Sequence, residues 1–303
     1  MIVSRFEVIG RAKIADKPGP VRQASVSPVS PFRGSAEPTQ QWQHFRFECA
    51  DKVATVTLDR PDKLNALTFE AYADLRDLLA QLPQRGDVRA LVLRGTGRAF
   101  CSGGDVNEII GATLRMGQDQ LLAFTRMTGE VIRGMRECPI PIVAALQGMA
   151  AGAGAVIALA ADFRVATPAA RFAFLFTKVG LSGGDMGAAY LLPRLVGLGR
   201  ATQLLMLGDT IDAAHAERIG LISELVGADE LDQAVNRLAG RLADGPAQAY
   251  AQTKALLTRE QDMSLSAALE LEAVTQALLM TGQDYAEFHA AFTAGREPQW
   301  QGR

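Results

Sequence analysis

Residues 141–162 read PIVAALQGMAAGAGAVIALAAD, and this stretch decides the fold. PIVAALQG is a short apolar run closed by Gly148, the pattern of a buried strand. Small residues follow, and Gly152, Ala153 and Gly154 open a second apolar run suited to a helix. Upstream, ALVLRGTGRAFCSGGD (residues 90–105) repeats the plan: an apolar strand runs into a loop holding Gly103 and Gly104. Further out, HFRFECADKVATVTLDRP reads as two strands around an Ala-Asp-Lys turn. LNALTFEAYADLRDLLAQL has the apolar period of an amphipathic helix, and a second helix is expected over about 121–136. FRVA is another short strand, after which the residues beyond Arg200 carry mostly helical patterns, the last a long one over about 245–294. Strands alternating with helices predict an α/β fold with crossover connections.

The chain has 303 residues, 48% of them hydrophobic, and a net charge of −2. That size fits one large domain with an appendage. The charge balance lacks the basic footprint of a nucleic-acid binder. No run reaches the roughly 18 apolar residues that a membrane helix needs. Cys49, Cys101 and Cys138 lie far apart without a CxxC, and His44, His215 and His289 are scattered. No metal site is expected from that set, and the expected setting is a reducing, cytoplasmic one with free thiols. No GxSxG-type elbow supports a Ser-His-Asp triad. Residues 1–41 are rich in Pro, Ser and Gly and read as a flexible arm, with RFEVIGRAKI able to form one strand. The expected organisation is an arm over 1–41, a core over 42–245 and a helical region over 246–303.

Two loops of this chain are built to present backbone amides. Small residues let a ligand approach the backbone closely. A helix N-terminus leaves N–H groups without intrahelical partners. Either loop alone is equally well explained by tight helix packing. Both together suggest two donors meeting at one developing charge, an oxyanion hole.

RAFCSGGDVNEI, PIVAALQGMAAGAGAVIALAADFRVAT and GLGRATQLLMLGDTIDAAHAERIGLISELV, in this order, resemble the crotonase (enoyl-CoA hydratase/isomerase) superfamily. RPDKLNALT is similar to that family's coenzyme A segment. The resemblance runs from about Phe45 to Trp300. It implies an α/β spiral of repeated ββα units with a helical C-terminal trimerisation region, and homotrimers or homohexamers. It implies an acyl-CoA substrate, with coenzyme A entering as part of the thioester and no separate cofactor. It puts the two oxyanion donors on the amides of Gly104 and Ala153.

The hydratases of the family carry two glutamates. Counted from the shared Asp162, their positions here are Val156 and Phe176, and neither side chain transfers a proton. One acid remains in the turn GGDMGAAY. Asp185 matches an acid that dienoyl-CoA isomerases use and the nucleophilic aspartate of chlorobenzoyl-CoA dehalogenases, and the turn also resembles that of naphthoate synthase, including Tyr190. Two readings stand: Asp185 is the acid/base or nucleophile, or it caps a helix over 186–195. Tyr190 is a phenol donor or a packed core residue. Phe172, Phe174 and Phe176 alternate as on a strand, either as sheet packing or as an apolar wall for an acyl group. Cys101 and Ser102 read as structural.

By the same resemblance Lys63, Ala66 and Leu67 line the coenzyme A path, with Asp105 following the oxyanion loop. Phe292 matches a phenylalanine that reaches a neighbouring subunit's ligand; the lysine that accompanies it is Gly295 here, with Arg296 one residue on. An acyl-CoA-processing enzyme of the hydratase/isomerase type is the leading expectation. A catalytically silent acyl-CoA binder or assembly subunit, and an ordinary hydratase with rearranged groups, are the alternatives.

Overall fold

The computed structural model describes residues 39–302. Most of the expected arm, with its possible strand, lies outside them. The chain enters through a hairpin of β1 (Arg46–Ala50) and β2 (Val53–Leu58). Its turn residues Asp51 and Lys52 both take positive φ, 50° and 64°, as a two-residue hairpin of the primed class requires.

From β2 the chain spirals. β3 (Ala90–Gly95) is followed by β4 (Ala99–Cys101), β5 (Ile142–Leu146) by β6 (Met149–Ala151), and β7 (Phe163–Ala166) by β8 (Arg171–Ala173). The first member of each pair joins one sheet and the second member another. β9 (Ile211–Asp212) and β10 (Glu224–Leu225) complete them. The larger sheet runs β1-β2-β3-β5-β7-β10 and the smaller β4-β6-β8-β9. Beyond the first hairpin the larger sheet is parallel, and its strands are apolar on both faces, as covered parallel strands must be. One core, including Leu93, Phe100, Leu146 and Phe172, gathers the inner faces. A smaller cluster seats α7 (Leu231–Ala243) on Val92, Val143 and Val165.

The helices start where local chemistry allows. The apolar period in LNALTFEAYADLRDLLAQL begins at Leu64, but α1 covers Phe69–Gln81. Leu64 and Asn65 sit at positive φ, and Thr68 Oγ1 accepts from the Ala71 N–H at 3.2 Å, capping the helix there. Buried Asn65 donates to the carbonyls of Thr96 (2.9 Å) and Ala99 (2.8 Å), tying this segment to the β3–β4 turn. α2 (Gln118–Glu137) packs on α1, and α3 (Ala153–Ala160) is wholly buried. α4 (Ala188–Val196), α5 (Leu198–Leu207) and α6 (Ala213–Arg218) precede α7.

The long C-terminal pattern is three helices: α8 (Ala247–Arg259), α9 (Leu265–Met280) and α10 (Gln283–Ala294). Ser264 caps α9 by accepting from the Ala267 N–H, and Gly282 precedes α10. Asp162 pins this region to the core. Its carboxylate meets Arg136 of α2 at 3.1 Å, Lys254 of α8 at 2.8 Å and the Ile142 N–H at 2.8 Å. Leu265, Leu278 and Phe292 of the last two helices face outward, 76%, 68% and 76% exposed. Among the described residues no helix is long and apolar enough to cross a membrane, and no His, Cys, Asp and Glu group could hold a metal.

Candidate active site

The two glycine loops meet backbone to backbone. Gly103 has φ 100°, and a side chain on it would start 3.4 Å from the Ala153 nitrogen and 2.9 Å from the Ala151 oxygen. A side chain on Gly154 would start 2.2 Å from the Cys101 oxygen, so nothing larger than glycine lets α3 seat here. The Leu67 N–H donates to Gly103 O at 2.8 Å, and the Asp105 N–H donates to Leu67 O at 2.8 Å. Leu67 therefore bonds to both neighbours of Gly104. The Gly104 N–H faces the other way and meets no acceptor among the described residues. Ala153 is the first residue of α3, and the bond that closes the first helical turn is Val156 N–H to Gly152 O at 3.2 Å. The Ala153 N–H has no acceptor among the described residues either, as the first turn of a helix dictates. Its helical backbone suits alanine as well as glycine. Gly104 and Ala153, the two expected donors, thus stand on loops that touch through Gly103.

Beneath them Cys101 is sealed. Burial pushes its thiol up to about 12, against the opposing Gly103 amide. A thiol so held is a packing residue and no nucleophile. Ser102 donates to the Lys63 carbonyl at 3.4 Å.

Asp185 does not cap a helix. Met186 (φ 51°) and Gly187 (φ 85°) turn the chain left-handed twice, so α4 starts at Ala188 and not at Met186. Gly187 occupies the cap position, with no side-chain bond. Asp185 Oδ1 accepts from the next residue's amide, Met186 N–H, at 2.9 Å. Its Oδ2 accepts nothing from the described residues. Burial raises the carboxyl above its usual range, and the Met186 amide opposes that rise.

Sequence reasoning missed Tyr72. It lies on the inner face of α1, 3% exposed, its ring edge-on to Phe124. Its hydroxyl is 3.5 Å from the point where a Gly104 side chain would begin. Burial, then the charges of Cys101 and Asp185, push its phenol well above the usual tyrosine range. One hydroxyl thus neighbours Gly104 and feels the Asp185 carboxylate. The only sequence signal was a phenol set on the apolar stripe of α1.

The sequence model of the enoyl-CoA hydratase/isomerase family matches residues 48–303. The chain belongs to the enoyl-CoA hydratase/isomerase family. It is 35% identical over 251 residues to 1,2-epoxyphenylacetyl-CoA isomerase of Escherichia coli (strain K12), covering 83% of this chain and 95% of that one. A solved structure from Streptomyces coelicolor A3(2), with the working name enoyl-CoA hydratase, is 73% identical. It superposes with a TM-score of 0.89 over 91% of this chain and 100% of its own. An enoyl-CoA hydratase from Bacillus anthracis, 27% identical, gives a TM-score of 0.81 over 86% and 100%.

Against the family pattern, the remaining expected residues divide. Ala66 and Leu67 are buried beside the Gly104 loop, and Lys63 is exposed at its rim. Asp105 turns inward. Burial works to raise its carboxyl, but the Glu108 and Asn107 amides and Arg60, at 3.1 Å, hold it below the usual range. Arg60, also unforeseen, bridges this loop to the family's coenzyme A segment through the Ala66 carbonyl at 2.8 Å. Tyr190 is neither core nor a donor at the amides. It is 40% exposed, its hydroxyl bonds Asp262, and Arg194 stacks over its ring at 3.6 Å. Arg296 is held by Glu287 at 2.6 Å, and Phe292 stacks on Phe288 at the surface. The expected phenylalanine strand stops at Ala173. Phe172 and Phe174 are core residues, while Phe176 lies in a 3-10 turn over Leu175–Val179. Val156 is fully buried.

Proposed function

We propose that this enzyme of the hydratase/isomerase family receives an acyl-CoA thioester with its carbonyl oxygen on the Gly104 and Ala153 amides, and moves a proton with Asp185. One observation carries this reading. Two amides without an acceptor among the described residues stand on touching loops, and Tyr72 links them to a half-buried carboxylate: its hydroxyl is 3.5 Å from the Gly104 side-chain position and feels the charge of Asp185. Two amides aimed at the thioester oxygen stabilise the enolate formed when a proton leaves the α-carbon, each contributing about 2.7–4 kcal/mol. A single carboxylate can take that proton and return it elsewhere, which is isomerisation. Hydration needs a second acid–base group, and Val156 and Phe176 stand at the positions counted for it. The relative named 1,2-epoxyphenylacetyl-CoA isomerase supports an isomerase and a ring-bearing acyl group. Lys63, Ala66 and Leu67 would line the coenzyme A path. The outward apolar residues of α9 and α10 support assembly into a homotrimer or a pair of trimers, with Phe292 reaching a neighbour's ligand.

The test is mass-spectrometric turnover of crotonyl, 3,5-dienoyl, benzoyl-type and cyclic 3-oxoacyl thioesters, with the wild type and Asp185→Asn side by side. Turnover lost in a variant that still binds coenzyme A is the expected result. Unchanged turnover removes Asp185 from the chemistry. Binding without reaction by either protein favours the silent binder, and rapid crotonyl-CoA hydration restores the ordinary hydratase.

A further inference from the structure

We propose that Tyr72 is a specificity-determining residue whose hydroxyl hydrogen-bonds an oxygen carried on the α- or β-carbon of the acyl group. The preferred ligands are then acyl-CoA thioesters bearing a hydroxyl, oxo or epoxide oxygen, and not plain hydrocarbon chains. This rests on the acyl-CoA reading above and narrows its substrate class.

A hydroxyl that only a ligand or water can satisfy becomes unfavourable once a ligand displaces the water without replacing its hydrogen bond. The Tyr72 hydroxyl has no hydrogen-bond partner among the described residues; the residue is only 3% exposed, yet its oxygen is not one of the sealed unpaired atoms and so stays reachable by a small molecule. It cannot turn away to find one. The ring is wedged against Phe124, which Phe69 also meets edge-on at 4.8 Å. The neighbours it does have are functional ones. It lies 3.5 Å from the side-chain position of Gly104, beside Ile109, and within the electrostatic reach of Asp185. A thioester oxygen on the Gly104 amide and an α-proton facing Asp185 leave the α- and β-carbons between those two groups, next to this phenol. Its raised titration keeps it a proton donor throughout the working range. A hydrocarbon there leaves the donor unpaired; an oxygen satisfies it.

The test compares affinities by calorimetry for two matched pairs: phenylacetyl-CoA with mandeloyl-CoA, and 3-phenylpropanoyl-CoA with 3-hydroxy-3-phenylpropanoyl-CoA. Tyr72→Phe keeps the ring and its packing. In at least one pair the wild type should bind the oxygenated member about tenfold tighter, the order of one good hydrogen bond to a buried donor. Tyr72→Phe should abolish that preference without weakening the binding of the hydrocarbon member, a split that a merely structural tyrosine would not produce. Equal affinities in both pairs for the wild type, or a preference that survives in Tyr72→Phe, overturn the assignment while leaving the acyl-CoA reading intact. Failure of all four thioesters to bind overturns both.

Discussion

Asp185 and Asp105 titrate in opposite senses, and each sense is a prediction. Burial raises Asp185, so ionising it opposes folding. That loss sets in as pH rises from the ordinary carboxylate range through the raised value, and stays constant above it. Asp185→Asn removes it. The variant should melt at a higher temperature than the wild type at neutral pH, with the difference vanishing in acid, by calorimetry across pH. Asp105 is the reverse case. Its stabilising contribution is present above the ordinary carboxylate range and fades as pH falls through its lowered value. For catalysis, Asp185 must be ionised to take a proton. The kcat/KM profile should rise with pH through the raised value to a plateau, and Asp185→Asn should lose about 100- to 10,000-fold in kcat. An acid limb identical in wild type and variant would contradict this. The sequence showed Asp185 as an acid worth explaining, yet could not choose between cap and base. The two left-handed residues at 186 and 187 remove the cap, and Met186 carries no composition signal for positive φ.

At the scale of elements, β1, β2, β3, β5 and β7 were legible in the sequence, while β4 and β6 lay in segments that read as loops and β9 and β10 went unread. Phe163–Ala166 and Ala90–Gly95 are mostly apolar runs, as covered parallel strands tend to be, with the buried Arg164 bonded to backbone carbonyls. Helix beginnings were less legible. The period in α1 extends back to Leu64, and only the Thr68 cap and the buried Asn65 bonds explain why the helix waits until Phe69. Tyr72 was hidden by the same period, since its place on the apolar face is what a core residue also shows. The seat of α3 yields a sharp test. Gly154→Ala would set a methyl against the Cys101 carbonyl, forcing the helix off the loop. A stability loss of about 1–3 kcal/mol is expected in denaturant unfolding. Activity should fall at least tenfold, because the Ala153 amide moves with the helix while the Gly104 amide does not. A variant with full activity would show that the spacing of the two amides is unimportant.

For the whole molecule, Asp162 joins α2, α8 and the start of β5. Asp162→Ala leaves Arg136 and Lys254 without their shared counter-charge, and should cost about 3–5 kcal/mol in equilibrium unfolding. The outward faces of α9 and α10 predict an assembled particle. Sedimentation should give a trimer or hexamer, and Leu269→Glu with Phe288→Glu should give the single chain. Their exposure was not visible in the sequence, where 245–294 reads as one amphipathic stretch and shows nothing of which side meets solvent.

The contact between the two loops has a wider consequence. Gly103 and Gly154 let main chain rest on main chain, so no side chain sets the distance between the Gly104 and Ala153 amides. On the proposed function, the holder of the thioester is thereby independent of the residues that act on it. A lineage can exchange acids, phenols and pocket walls around an unchanged clamp, acquiring a new reaction without rebuilding the old grip. In this chain the side chains around the proposed clamp include Val156, Phe176, Asp185 and Tyr72, while the clamp itself consists only of backbone.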